Sequence, residues 1–136
     1  MVRVWPVSRI NSTHSVPSLC GGSLINSQWV LTAAHCLENM KTKELFNAED
    51  VTVFLGDHNR TDPTEATEVE MKISKIIRHP EWNKTGLIDN DYGLLKMKEE
   101  INFMGHDHIR PICLPENTSE DYIGWEATIT GWGSTG

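Results

Sequence analysis

The sequence has no apolar run of the roughly twenty residues that a membrane-crossing helix requires, so no membrane segment is expected in this chain. An apolar leader is lacking too: Trp5-Pro6 interrupts the N-terminus early, and the polar stretch Asn11 to His14 comes next. Positive charge is scarce. Lys and Arg number 12 against 19 Asp and Glu, for a net charge of −7, which argues against a nucleic-acid partner and its need for a basic stripe. No internal repeat, low-complexity tract or long 3.6-period segment occurs, which leaves out solenoids and helix bundles. Nor is the cysteine count even. Of the three, Cys20 and Cys36 could pair, leaving Cys113 free or bonded to something outside the chain.

What is present is an ordinary globular composition, 38% hydrophobic and 23% charged over 136 residues, enough for one domain with a real core. Four glycosylation sequons begin at Asn11, Asn59, Asn83 and Asn117. Four in so short a chain point to the secretory pathway and an extracellular location. Three reduced thiols in a cytosolic protein, the alternative reading of the cysteines, fit poorly with those sequons. A secreted protein without a leader implies a chain that lacks its true start.

Strand signals recur at short intervals. Ser23 to Ile25 and Trp29 to Thr32 flank the polar turn Asn26-Ser27-Gln28, a hairpin. Val51 to Leu55 ends at Gly56. Val69, Met71 and Ile73 alternate with Glu70, Lys72 and Ser74, the period-2 pattern of a half-buried strand, and Lys75 to Arg78 continues it to His79-Pro80. Gly93 to Met97 and Ala127 to Thr130 complete the set, with a first strand near Val7 to Ile10. The polar stretch Asn39 to Asp50 reads as either a helical turn or a loop. About six short strands separated by turns predict an antiparallel barrel or sandwich.

The run Cys20 to Cys36, CGGSLINSQWVLTAAHC, closely resembles the chymotrypsin-like (trypsin-like) serine proteases. In that family it forms a hairpin ending at the general-base histidine, here His35. The resemblance implies a Cys20–Cys36 disulfide clamping the hairpin ends, and a loop of this size contributes roughly 3 kcal/mol by restricting the unfolded chain. Asp91-Tyr92-Gly93-Leu94-Leu95-Lys96 resembles the family's strand that opens with the histidine's aspartate partner. That implies that Asp91, rather than Asp89, accepts the Nδ1 proton of His35 and sets its tautomer. Tyr92 departs from the aliphatic residue usual there, and a buried Tyr would need a hydroxyl partner. Ile109 to Pro115 resembles the link between the family's two barrels, where a cysteine, here Cys113, bonds a propeptide, a light chain or the C-terminal part of the protease. Thr128-Ile129-Thr130-Gly131-Trp132-Gly133 resembles the opening strand of the second barrel, with Ala127 where the family often has a cysteine. The likeness runs from about Trp5 to Gly136.

No Gly-Asp-Ser-Gly-Gly run exists in the 136 residues, so neither a nucleophilic serine nor the oxyanion hole beside it is expected in them. Leu19 and Ile88 match positions on the leaving-group and non-prime sides of the family's substrate cleft. Asp57, Glu65 and Glu68 match the family's calcium loop if one residue is inserted, and their hard oxygens suit that ion. Otherwise no cofactor is required. His106-Asp107-His108 offers zinc no further placed ligand and reads as a polar loop.

The expected fold is therefore all-β: a six-stranded antiparallel Greek-key barrel over 1–110, a linker over 111–123, and the first strand of a second barrel over 124–136. The expected function is that of a serine-type endopeptidase acting on polypeptide substrates and met by protease inhibitors. The chain would be its N-terminal part, inactive by itself. A non-catalytic homologue acting as a binding protein, or an incomplete gene product, are the alternatives.

Overall fold

The computed structural model describes residues 1–11, 14–58, 67–116, 119 and 121–133, with the side chains of residues 9–16 outside that description. Seven strands make one antiparallel sheet: β1 (Val2–Asn11), β2 (His14–Pro17), β3 (Cys20–Leu24), β4 (Trp29–Thr32), β5 (Val51–Leu55), β6 (Val69–Arg78) and β7 (Gly93–Met97). Their order is β2-β1-β3-β4-β7-β6-β5, and β5 also pairs with β1, which closes the sheet. β2 and β3 form one side of the barrel in two pieces. Val7 faces Pro17 and Val4 faces Cys20 in the same register, and the Ser18 amide donates to the Pro6 carbonyl between them. The closed barrel is thus six-stranded, with β7 returning to lie beside β4 in Greek-key fashion.

Period-2 patterning builds the core. Val51, Val53 and Leu55 of β5, and Leu95 and Met97 of β7, are buried and alternate with more exposed neighbours. In β1 the inward residues are Val2, Val4 and Pro6, so the strand begins well before the expected Val7. Pro6 does not break it, because the ladder between β1 and β5 ends at the Pro6–Val51 pair, where a lost N–H does least harm. The hairpin at Asn26–Gln28 forms as expected, with the Asn26 carboxamide oxygen accepting from the Gln28 and Trp29 amides at 2.9 Å. Residues 39–50 are a loop with one 3-10 turn, Ala48–Asp50, at its end.

Ile101 and Ile109 carry the chain after β7 back into the core. Among the described residues beyond Arg110 no strand forms. Ala127–Thr130, expected as one, lies exposed without a ladder partner, and Ile129 is 97% accessible. Strand propensity alone fixes no ladder when nothing offers the matching edge.

Gly93, which opens β7, is required by space. A Cβ there would lie 2.4 Å from Leu37 Cδ1 and 2.8 Å from the Ile77 carbonyl oxygen. Gly93→Ala is expected to lower stability by about 1–3 kcal/mol through overpacking. Urea unfolding is the check, and a loss under about 0.5 kcal/mol would show that the contact relaxes freely.

Candidate active site

β4 ends at Thr32, and the chain turns at once into a 3-10 turn, Ala34–Leu37, which carries His35. Ala34 and Leu37 are fully buried, Leu37 in the barrel core, whereas His35 between them is exposed. The expected disulfide is present: Cys20, the first residue of β3, is bonded to Cys36. It ties the turn back across the hairpin, one residue from His35.

Asp91 arrives from the opposite side, two residues before β7. Its Oδ1 accepts the His35 backbone amide at 2.9 Å, and its Oδ2 lies 2.7 Å from His35 Nδ1. One carboxylate therefore fixes both the backbone and the ring of His35. Burial pushes the Asp91 carboxyl up, but it is held below its ordinary value of 3.8 by the His35 amide, the His35 ring, the ring's charge and the Ala34 amide. With Nδ1 committed to Asp91, Nε2 is the ring's open nitrogen. It lies 3.5 Å from Cys36 Sγ, a weak acceptor. Cys20, His35 and Cys36 converge closely enough to suggest a metal site. Both sulfurs are spent in the disulfide, however, and supply no thiolate.

Asp89, the rival acid, does not reach His35. Its carboxylate meets only the Asn90 carboxamide, at 3.4 Å, among the contacts described. Tyr92 is half exposed and packs its ring on His79, with centroids 4.5 Å apart. The segment leading to Asp91 is held in unusual backbone geometry. Asn83, Ile88 and Asn90 all have positive φ, and Ile88, β-branched and exposed, does so at 58°.

Sequence reading missed Glu38. Three residues past His35, it is buried, and its Oε2 accepts from Arg78 Nη1 at 2.8 Å and from Trp82 Nε1 at 3.1 Å. It thereby links the His35 turn to the end of β6 and to the start of the segment that delivers Asp91. No local pattern marks it, because its partners are 40 and 44 residues away.

A groove of about 620 Å³ opens beside His35, with Leu19, Met40 and Phe46 among its apolar walls and Lys41 and Lys43 beside them. A larger one, about 930 Å³, lies along β3 and the 129–133 segment and touches neither His35 nor Asp91. Cys113 is exposed and unpaired among the described residues. Asn83 is exposed. Asn59, Glu65 and Asn117 lie outside the described residues, as does the side chain of Asn11. Asp57 and Glu68 flank the 59–66 segment and both contact Arg3. His108 Nε2 meets the Thr67 carbonyl at 2.9 Å, and Asp107 pairs with Arg110. No helix of the described residues is long and apolar enough to cross a membrane.

A six-stranded barrel with a histidine and an aspartate joined at its rim, next to a disulfide, is the architecture of a chymotrypsin-like barrel. The trypsin family model matches residues 3–136, and the chain belongs to that family. It is 41% identical over 116 residues to serine protease SSP1 of Scolopendra subspinipes, covering 85% of this chain and 38% of that protein. To trypsin II-P29 of Gallus gallus it is 39% identical over 131 residues, covering 90% of this chain and 46% of that one. The chain thus spans less than half the length of these curated relatives.

Two outcomes are expected from the site's construction. Glu38→Ala strands the Arg78 guanidinium and the Trp82 N–H, and should lower stability by about 2 kcal/mol, less than for a fully buried pair because Arg78 is partly exposed. Urea midpoints test this, and a shift equivalent to less than about 0.5 kcal/mol would count against it. The pH dependence comes from Asp91, whose folded pKa is depressed. Its contribution is present above the unfolded value of 3.8 and is lost as pH falls through the lower folded value. The stability gap between the chain and Asp91→Asn should therefore narrow as pH falls below about 4. A gap that widens in acid would contradict the assignment.

Proposed function

We propose that the chain supplies the histidine and aspartate of a serine endopeptidase, with polypeptide substrates and protease inhibitors as its binding partners. The observation that carries this reading is the 2.7 Å contact between His35 Nδ1 and Asp91 Oδ2. Asp91 accepts the Nδ1 proton, which leaves Nε2 unprotonated and able to act as base. Nε2 then takes the proton of a serine hydroxyl as that oxygen attacks the scissile carbonyl, and His35 returns it to the leaving amine. Asp91 stabilises the imidazolium between the two steps without becoming protonated.

The serine lies in a segment outside these 136 residues, since none of them sits in a Gly-Asp-Ser-Gly-Gly setting. By itself the chain then hydrolyses no peptide bond. The disulfide and the four sequons support a secreted glycoprotein. Cys113, exposed after the barrel, is the place for a bond to such an outside segment, be it a propeptide, a light chain or the second barrel. Barrel, linker and second-barrel start are assigned to 1–110, 111–123 and 124–136.

Reading the transcript past Gly136 is the direct test. Gly-Asp-Ser-Gly-Gly roughly a hundred residues on is expected, and a glycine in the serine's place would leave a binding protein without catalysis. In a polypeptide that includes that segment, Asp91→Asn should reduce kcat by roughly 10,000-fold, by presenting the wrong tautomer. A serine-directed fluorophosphonate should label that polypeptide and not the 136-residue chain.

A further inference from the structure

Two of the acids that the sequence offers for calcium, Asp57 and Glu68, meet a cation of the chain itself; the third, Glu65, lies outside the described residues. Asp57 comes just after β5, and Glu68 precedes β6, so the pairing of Leu55 with Val69 brings the two carboxylates to the same end of the barrel. Arg3, on the outward face of β1, reaches both. Its Nε stands 2.9 Å from Asp57 Oδ2, and its Nη2 hydrogen-bonds Glu68 Oε2. Register explains why it can: Arg3 lies directly opposite Phe54 on β5, three residues before Asp57.

The guanidinium is fixed from other sides as well. Its carbon sits 4.3 Å from the Phe54 ring centroid and 5.6 Å from that of Trp5, within cation–π range of both. The Arg3 side chain is only 14% exposed and that of Asp57 only 3%. Charges so far out of water are tolerated only when paired, and removing one partner is costly.

We propose that Arg3 is the resident cation of this corner: its guanidinium occupies the place between Asp57 and Glu68 that a divalent ion would need, and makes the barrel independent of calcium. Calcium binds carboxylate oxygens at about 2.3–2.6 Å and takes six to eight ligands. One oxygen of each carboxylate, Asp57 Oδ2 and Glu68 Oε2, already faces Arg3. An ion on those oxygens would lie within a few ångström of a fixed positive charge, at an effective dielectric far below that of water. To enter, it must first pull Arg3 off two carboxylates and two aromatic rings. The role of the acids is thereby reversed from the sequence expectation: they anchor β1 to the β5–β6 hairpin rather than hold a metal.

The experiment is thermal unfolding of the whole chain in EGTA and in calcium at matched ionic strength. Because the readout is stability, it is independent of whether the peptidase reading holds. The midpoint should agree between the two buffers to within about 1 °C, since a ligand stabilises only in proportion to its occupancy. A saturable rise with half-effect below about 1 mM calcium, the range of extracellular calcium modules, would overturn the proposal. Arg3→Gln should melt lower in EGTA by more than about 3 °C and recover part of that loss in calcium, because the freed carboxylates then accept the ion. A variant that melts lower and gains no response to calcium would overturn the claim that Arg3 occupies a cation's place. Should Arg3→Gln fail to fold, Arg3→Lys is read in the same two buffers. The shorter hold of an ammonium on two acids should admit calcium and raise the midpoint, and an unresponsive lysine variant would overturn the claim in the same way.

Discussion

The pairing of β1 with β5 is the constraint on which the rest of this molecule depends. Five consecutive residue pairs, from Val2–Leu55 to Pro6–Val51, turn an open sheet into a closed barrel. Over those pairs closure leaves no open edge between β1 and β5. It also puts Val2, Val4, Val51, Val53 and Leu55 on one interior surface, each 1% accessible or less. The same register stacks Arg3 on Phe54 and brings its charge to Asp57. One run of backbone hydrogen bonds therefore sets both the hydrophobic interior and the main ionic cluster outside it. Were β1 to slip by one residue, Arg3 would turn inward and Val4 outward, so the two features reinforce one register.

The rim of that barrel places His35 by a different logic. Its turn is tied at Cys36 to β3 by a covalent bond, at Leu37 to the core by burial, and at Glu38 to Arg78 and Trp82 by charge and hydrogen bonding. Asp91 completes the hold from the far side through two separate acceptor oxygens. In its proposed role as general base His35 would need a fixed orientation, and each of these ties removes a different freedom of the same short turn. The ring itself remains more than half exposed, at 59%. It is rigidly based yet open to a reactant.

How much of this is legible in the sequence varies with the range of the interaction that decides it. The strands at Val51–Leu55 and Gly93–Met97 can be read because alternation is local. The hairpin at Asn26 can be read because an Asn side chain caps its own turn. The disulfide and the choice of Asp91 over Asp89 rest on resemblance to a known family, and the structure brings each of those pairs together. The start of β1 falls earlier than the sequence suggests because proline reads locally as a breaker, whereas its position at the end of a ladder is a fact of pairing. Ala127–Thr130 has the composition of a strand and no partner, so composition alone overstates it. Glu38 gives no signal, as an acid in a polar loop looks the same whether or not an arginine and an indole from 40 or more residues away converge on it. The partner of Asp57 and Glu68 gives no local signal either, since Arg3 stands more than 50 residues earlier.

The two ion pairs of Asp57 and Asp91 illustrate why carboxylate environment, rather than carboxylate identity, decides a role. Asp57 is almost wholly buried and meets a permanent cation that cannot lose its proton under any ordinary condition. Its partnership is fixed, and its product is mechanical: three strands held at one corner. Asp91 is a quarter exposed and meets an imidazole, whose ordinary pKa lies near neutrality. Its two oxygens meet that ring and the His35 backbone amide. A partner that orients the ring through Nδ1 is what the proposed role of His35 requires. An arginine in place of His35 would bind Asp91 just as well and could carry no proton. The proton transfer proposed at this rim would therefore need the titratable cation, His35, at the open edge, while the permanent one, Arg3, sits in the closed corner.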